Sequence, residues 1–184
     1  MTKPSRSRKV DAEPLPPDPE GEFPINVDDY LFHLLAAVGR MRDGSLDGEL
    51  RAVGLSVIQY RALAFVVRLQ PVPMSALAEV TSIDRTTLTR VIDALVAAGH
   101  VDRSTPPTDR RRVDLTPTPG GEATFRRAAA IVAAHNRGVL DGIPDETRRA
   151  AVRAAQMLVA NLARNGRVAE QLLTLRQVAN GDED

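Results

Sequence analysis

Two short polar clusters carry the chemistry most legible in this sequence. The first is Arg85-Thr86-Thr87-Leu88-Thr89-Arg90. Its hydroxyls and guanidiniums are the groups that hydrogen-bond base edges and phosphate oxygens in duplex DNA. Arg90 is the first candidate for a base edge, because a guanidinium offers two parallel donors to guanine or clamps a phosphate. Thr86 and Thr89 suit base or phosphate contact, Thr87 does the same or helps cap a helix, and Arg85 falls where a DNA backbone would pass. The second cluster is Arg103 together with Asp109, Arg110, Arg111 and Arg112, the last four of the stretch Thr105-Pro106-Pro107-Thr108-Asp109-Arg110-Arg111-Arg112. A lone surface arginine is ordinarily a solvated charge. Here the charges gather at a turn tip beside a segment of matching character, which favours contact for Arg90 and Arg111. For Arg85, Thr87 and Arg112 the solvated reading explains the residue equally well.

The elements that must position these clusters follow from local signals. Ser75 is placed to cap a first helix carrying Leu77, Ala78 and Val80, which Thr81, Ser82 and Ile83 interrupt. Asp84 stands where an N-cap belongs. Leu88, Val91, Ile92, Leu95 and Val96 then recur at spacings of three and four, an apolar stripe opposite the polar cluster. Gly99 follows as a helix-ending glycine. Val101 and Arg103 open a strand, Val113 and Leu115 alternate with polar residues on its return, and the arginine-rich tip lies between. Two helices and a β-hairpin in this order predict a winged helix-turn-helix, in a chain that is mainly α with a small β-wing.

Over DRTTLTRVIDALVAAG (84–99) and HVDRSTPPTDRRRVDLTPTPGG (100–121) the chain resembles the MarR family of transcriptional regulators. The likeness extends more weakly from about Asp28 to Leu162. Pro106 departs from the acidic residue common at the wing, and Pro117 from the usual leucine before Thr118. Since Pro117 cannot donate a ladder hydrogen bond, the second wing strand is expected to end there. The resemblance implies that the Asp109 carboxylate orients the Arg111 guanidinium into a narrow minor groove, with Arg110 and Arg112 along phosphates. It also implies a homodimer formed by the first and C-terminal helices. Further, it implies a repressor, less often an activator, whose DNA affinity falls when a small aromatic or acidic effector binds between those helices and the DNA-binding lobe. Polar groups on the flanking helices that could face such an effector are His33, Arg40, Tyr60, Arg61 and His135; Arg40 or Arg61 would pair with a carboxylate. Tyr60 also reads as packing, and His135 as a core or interface histidine.

The flanking helices read from their own periodicity. Asp28 to about Ala52 carries Leu31, Leu34, Leu35, Val38 and Met41 on one side, and Gly44 and Gly48 weaken its end. Gly54-Leu55-Ser56 marks a stop and a new cap before a helix from Val57 to Leu69, closed by Pro71 and Pro73. Thr118 caps a helix with Pro119 at its first position, running to Asp141. Asp145 caps the next, which bears Val152, Leu158, Val159 and Leu162 and stops at Asn165-Gly166. A small winged module cannot cover all these apolar stripes, so a second copy is expected, a self-packed monomer being the alternative. Two recognition helices related by a two-fold axis would read a palindrome with half-sites about 10 bp apart, or a multiple of that.

The expected organisation is an N-terminal arm over 1–26, a winged helix-turn-helix domain over 27–164, and a C-terminal helix and tail over 165–184. Within the domain the DNA-binding lobe spans about 55–118, and the dimerisation helices about 28–52 and 119–164. The arm joins four basic residues to an acidic, proline-rich run and reads as disordered; a DNA-touching arm is the sharper alternative. Net charge is zero, with 24 basic and 24 acidic residues, which argues against indiscriminate coating of nucleic acid but leaves room for a local basic face. The sequence contains no cysteine, which excludes disulfides, thiolate metal sites and thiol-based sensing. No apolar run reaches the ~20 residues of a membrane span, so a cytoplasmic protein is expected. No metal or cofactor is expected, and catalysis is not: there is no HExxH pair or phosphate-cradling glycine loop, and His33, His100 and His135 lie in separate elements. The rival reading is an architectural DNA binder without ligand response.

Overall fold

A computed structural model describes residues 27–81, 83–107 and 109–162. The N-terminal arm, the Asn165-Gly166 stop and the final amphipathic segment lie outside the described residues. In chain order the elements are α1 (Val27–Leu50), a 3-10 turn (Arg51–Val53), α2 (Val57–Leu69), β1 (Val72–Pro73), α3 (Met74–Thr81), α4 (Arg85–Ala97), β2 (Val101–Ser104), β3 (Asp114–Pro117), α5 (Pro119–Val139) and α6 (Asp145–Leu162). No single helix among the described residues is long and apolar enough to cross a membrane.

Local chemistry sets most boundaries. Gly54, at φ 77°, ends the 3-10 turn, and Ser56 opens α2 with a capping box: its hydroxyl accepts from the Gln59 amide, and the Gln59 side chain accepts from the Ser56 amide at 2.8 Å. Gly44 and Gly48 sit inside α1 without ending it. Three boundaries differ from the sequence reading. Helix α3 begins at Met74, one residue before the expected Ser75 cap, because the Met74 amide is already taken by the Val113 carbonyl at 2.9 Å. Helix α5 ends at Val139 rather than Asp141, and Asp145 is the first residue of α6 rather than its cap, its carboxylate paired with Arg148 and Arg149.

The strand β1 is an addition. It pairs with β3, giving an antiparallel sheet of order β1-β3-β2, with Val72 opposite Leu115 and Arg103 opposite Leu115 on the other side. As expected, β3 ends at Pro117. One core gathers Leu46 and Leu50 of α1, Leu63 and Val66 of α2, Leu77 of α3, and Leu115 of β3. The stripe of α4 enters it through Leu88, Ile92 and Leu95, all fully buried. Truncating any one of these leucines to alanine would cost about 2–5 kcal/mol.

The tightest contact joins the end of α4 to the start of α5. Gly99 takes φ 71°, and the Thr118 hydroxyl donates to its carbonyl at 2.6 Å while accepting from the Gly121 amide at 2.9 Å. The Thr118 amide donates to the His100 carbonyl at 3.1 Å. A Cβ on Gly121 would lie 1.9 Å from the His100 carbonyl oxygen, whereas one on neighbouring Gly120 would meet nothing nearer than 3.6 Å. Gly121→Ala should therefore destabilise the protein by about 3 kcal/mol or more, the scale of a backbone-displacing overpacking change. Gly120→Ala should be neutral or stabilising. Urea unfolding of both variants checks the pair, and equal stability losses would contradict the close approach.

Candidate nucleic-acid interface and effector cleft

Helix α4 presents its polar cluster because Asp84 fixes its start. The Asp84 carboxylate accepts from the Thr87 amide at 2.9 Å, and the hydroxyl and amide of Thr87 hold its pKa below the usual carboxylate range. The Thr87 amide thereby serves the cap, and the residue is half-buried. Arg85, Thr86, Thr89 and Arg90 are exposed on the outward face. Thr89 spends its proton on the Arg85 carbonyl at 2.9 Å, leaving oxygen lone pairs that can still accept.

In the wing, the tip closes on itself. The Asp109 amide donates to the Pro106 carbonyl and the Arg112 amide to the Asp109 carbonyl, each at 3.1 Å. The Asp109 carboxylate accepts from the Arg111 main-chain amide at 2.9 Å, not from its guanidinium as the resemblance implied. A short aspartate side chain reaches the amide two residues on, so it orients Arg111 through the backbone and leaves the guanidinium outward.

Not all the expected arginines are available. Arg103 is paired with Asp93 of α4 at 2.6 Å, and Arg112 with the buried Asp114 at 2.6 Å, a bond that raises the Arg112 pKa. These two act as struts, one tying the wing to the recognition helix and one bracing the wing's base. Arg85, Arg90, Arg110 and Arg111 have no ion-pair partner among the described residues. The pairings of Asp93 and Asp114 escaped the sequence reading because each runs across elements or around a turn, where no helical or strand periodicity marks it.

The five candidate effector residues do not converge. His33 and Arg40 are exposed on the first half of α1. Tyr60 stacks on Phe125 at 6.0 Å between centroids, and burial raises its phenol pKa; it is packing. His135 joins α5 to α1, with Nδ1 2.7 Å from Glu49 and Nε2 3.2 Å from the Ser45 hydroxyl, while Arg42 donates to Asn136 at 3.1 Å beside it. Serine, histidine and carboxylate stand there in the order of a hydrolytic triad. Ser45 lies inside α1, however, where backbone amides are spent within the helix and offer no oxyanion site. This seam fastens two helices.

Of the five, Arg61 alone lines an open cleft of about 730 Å³ bordered by α1, the start of α2 and the turn between α3 and α4. Its guanidinium is already held by Asp43 at 2.7 Å, so it does not stand free for a ligand carboxylate. Asp47, Ser56, Thr81, Ile83 and Asp84 also line the cavity. Asp47 accepts from the Val57 amide at 3.1 Å and from Arg51, and its pKa is lowered by those bonds in that order. The Asp47–Arg51 spacing of four was readable as a helical ion pair; the reach to Val57 was not. The Thr81 hydroxyl is buried without a hydrogen-bond partner.

Because folding lowers the pKa of both Asp47 and Asp84, the stability they contribute is present above the ordinary carboxylate range. It is lost as pH falls through their folded values. Stability in urea should therefore decline below about pH 4. Asp47→Asn with Asp84→Asn, which keeps the cap oxygen, should flatten that decline. An unchanged acid limb in the double variant would contradict the assignment.

A capped helix with an arginine- and threonine-bearing face, set beside an arginine-tipped hairpin on a helical core, defines a winged helix-turn-helix protein. The MarR family model matches residues 53–112. The chain is 29% identical over 102 residues to the multiple antibiotic resistance protein MarR of Escherichia coli (strain K12), spanning 55% of this chain and 71% of that protein. Its fold is similar to a MarR-family transcriptional regulator from Rhodococcus sp. RHA1, with TM-score 0.66 and 26% identity over 73% of this chain and 95% of that one. It is likewise similar to CouR from Rhodococcus jostii RHA1, solved bound to p-coumaroyl-CoA, with TM-score 0.63 and 27% identity over 73% and 94% of the two chains. By family model, curated relative and solved structures alike, the chain is similar to the MarR family of transcriptional regulators.

Proposed function

We propose that this protein is a homodimeric repressor that binds a palindromic operator and releases it when a small organic effector binds. The observation that carries the DNA reading is the division of the arginines. Those that hold the wing in place are paired, while Arg85 and Arg90 on α4 and Arg110 and Arg111 at the wing tip present uncompensated charge to solvent. In this reading α4 enters a major groove, Arg111 reaches the adjacent minor groove, and Arg103 and Arg112 position the wing. The segment from α2 to β3 forms the DNA-binding lobe, and α1, α5 and α6 the dimerisation helices.

Support for the dimer comes from apolar side chains that the single chain leaves outside its core. Leu31, Leu34, Leu35 and Val38 follow helical spacing along α1 and are 41–57% exposed; Val152 and Met157 of α6 are exposed too. A face of this kind marks an interaction surface, and a two-fold partner presents the same face in return. Leu34→Asp should leave the fold intact and convert the dimer to monomer in sedimentation velocity. A variant sedimenting like the parent would contradict α1 as the interface.

Effector response draws support from the bound p-coumaroyl-CoA of CouR, a relative of like fold, and from the cleft that Asp84 and Thr87 of the DNA-facing unit share with α1 and α2. A coupling of roughly 1–3 kcal/mol between effector and operator would weaken binding about 5–150-fold. The DNA reading is tested by anisotropy titrations of a mixed-sequence duplex at several salt concentrations. Arg111→Ala should weaken binding and reduce the salt slope by about one. Arg103→Gln, which removes a strut rather than a phosphate contact, should leave the slope near that of the parent. Parental binding by Arg111→Ala would overturn the wing assignment.

A further inference from the structure

The hydrogen bonds at the seam between α5 and α1 bear on how many protons its histidine carries. The His135 ring is only 8% exposed, with Nδ1 2.7 Å from Glu49 and Nε2 3.2 Å from the Ser45 hydroxyl. A carboxylate can only accept, so Nδ1 carries a hydrogen. The Ser45 hydroxyl has one proton, and it is donated to the Arg42 carbonyl at 3.1 Å. Its oxygen is left to accept, so Nε2 carries a hydrogen as well. The three bonds stand together only on the imidazolium. Glu49 has no other ion-pair partner among the described residues. From α1, Arg42 turns to Asn136 at 3.1 Å and to Asp43 at 3.5 Å. From the 3-10 turn, Arg51 turns to Asp47. From α2, Arg61 is held by Asp43, while Arg68 lies over the Phe125 ring, on which Tyr60 stacks. On α5 itself Arg137 is exposed. The imidazolium is what balances the Glu49 carboxylate.

We propose that His135 is held doubly protonated in a buried clamp between α5 and α1, and that this clamp makes the setting of the two helices depend on pH. Ser45 and Glu49 stand one helical turn apart and flank Leu46 and Leu50, the fully buried residues that seat α1 in the core. N-terminal to them, α1 leaves Leu31, Leu34, Leu35 and Val38 exposed. The clamp therefore sets that face against α5, whose first turn is pressed on His100 at Gly121, about 20 Å away along the helix. It is complete while the ring keeps both protons. It is lost as pH rises through the range where histidine ordinarily gives one up, about pH 5–8, and in acid where carboxylates take up a proton, near pH 4. A neutral ring forfeits the charge-assisted bond to Glu49 and sets Nε2 against the Ser45 oxygen unless the serine leaves the Arg42 carbonyl. One consequence rests on the homodimer reading above: a face held at one angle associates more tightly than a loose one.

The test is ring-nitrogen NMR on the full chain with 15N-labelled histidine. At about pH 7 both His135 nitrogens are expected to carry protons, with His33, exposed on α1, as the reference in the same spectrum. Glu49→Gln, which keeps an acceptor but not the charge, should let the second proton leave at lower pH. A bare ring nitrogen on His135 at that pH, or a titration that Glu49→Gln does not move, overturns the proposal. Sedimentation velocity reads the consequence. The dimer dissociation constant of the parent should rise at least fivefold between about pH 6.5 and 8.5, the lower end of the range for coupled sites. That of His135→Gln should stay level. Parallel changes in the two proteins overturn the pH-dependent setting and leave the protonated clamp standing. A chain that is monomeric at both pH values overturns the dimer reading, and the ring nitrogens still decide the clamp.

Discussion

The contact on which the rest depends is the meeting of α4, β2 and α5 around Gly99, His100 and Gly121. Within four residues the chain must end the recognition helix, turn through a left-handed glycine, and pass under the first turn of α5 closely enough that a single methyl group would collide with the His100 carbonyl. Thr118 locks the arrangement by bonding to Gly99 and Gly121 together. The consequence is mechanical. The orientation of α5 is carried into α4 and the wing by backbone contacts with little slack, since packed interiors yield in discrete steps rather than continuously.

Around that joint the charges are divided by task. Asp93 and Asp114 take the arginines that set the wing's place, and Asp43 and Asp47 take Arg61 and Arg51 at the back of the module. In α4 and the wing, Arg85, Arg90, Arg110 and Arg111 remain without an ion-pair partner among the described residues. Exposed ion pairs of this kind add little stability individually. Their effect here is selective: they neutralise Arg103 and Arg112 within the wing and leave Arg85, Arg90, Arg110 and Arg111 uncompensated. The protein as a whole is neutral, so that local separation, not net charge, supports DNA binding.

Much of this was legible in the sequence because the signals are local. Ser56, Asp84 and Thr118 announce helix starts, Gly54, Gly99 and Gly142 announce turns, and the stripe from Leu88 to Leu95 fixes which face of α4 is inward. What depended on distant partners was not. Strand β1 is two residues long and exists because β3 lies beside it. Arg103 and Arg112 look like Arg110 and Arg111 until Asp93 and Asp114 are placed next to them. His33, Arg40, Tyr60 and His135 were chosen as polar residues on apolar helices, but the sequence does not say how those helices are rotated toward one another. The apolar stripe of α1 was visible, and so was the expectation that the single module would leave such stripes uncovered.

The most direct test of the central claim is a selection of random duplexes by the purified protein at two salt concentrations. The account predicts one enriched inverted repeat, with half-sites about 10 bp apart or a multiple of that, recovered at both salts. Recovery of no preferred sequence, with binding that simply fades as salt rises, would contradict a specific regulator and leave a protein that holds DNA by charge alone.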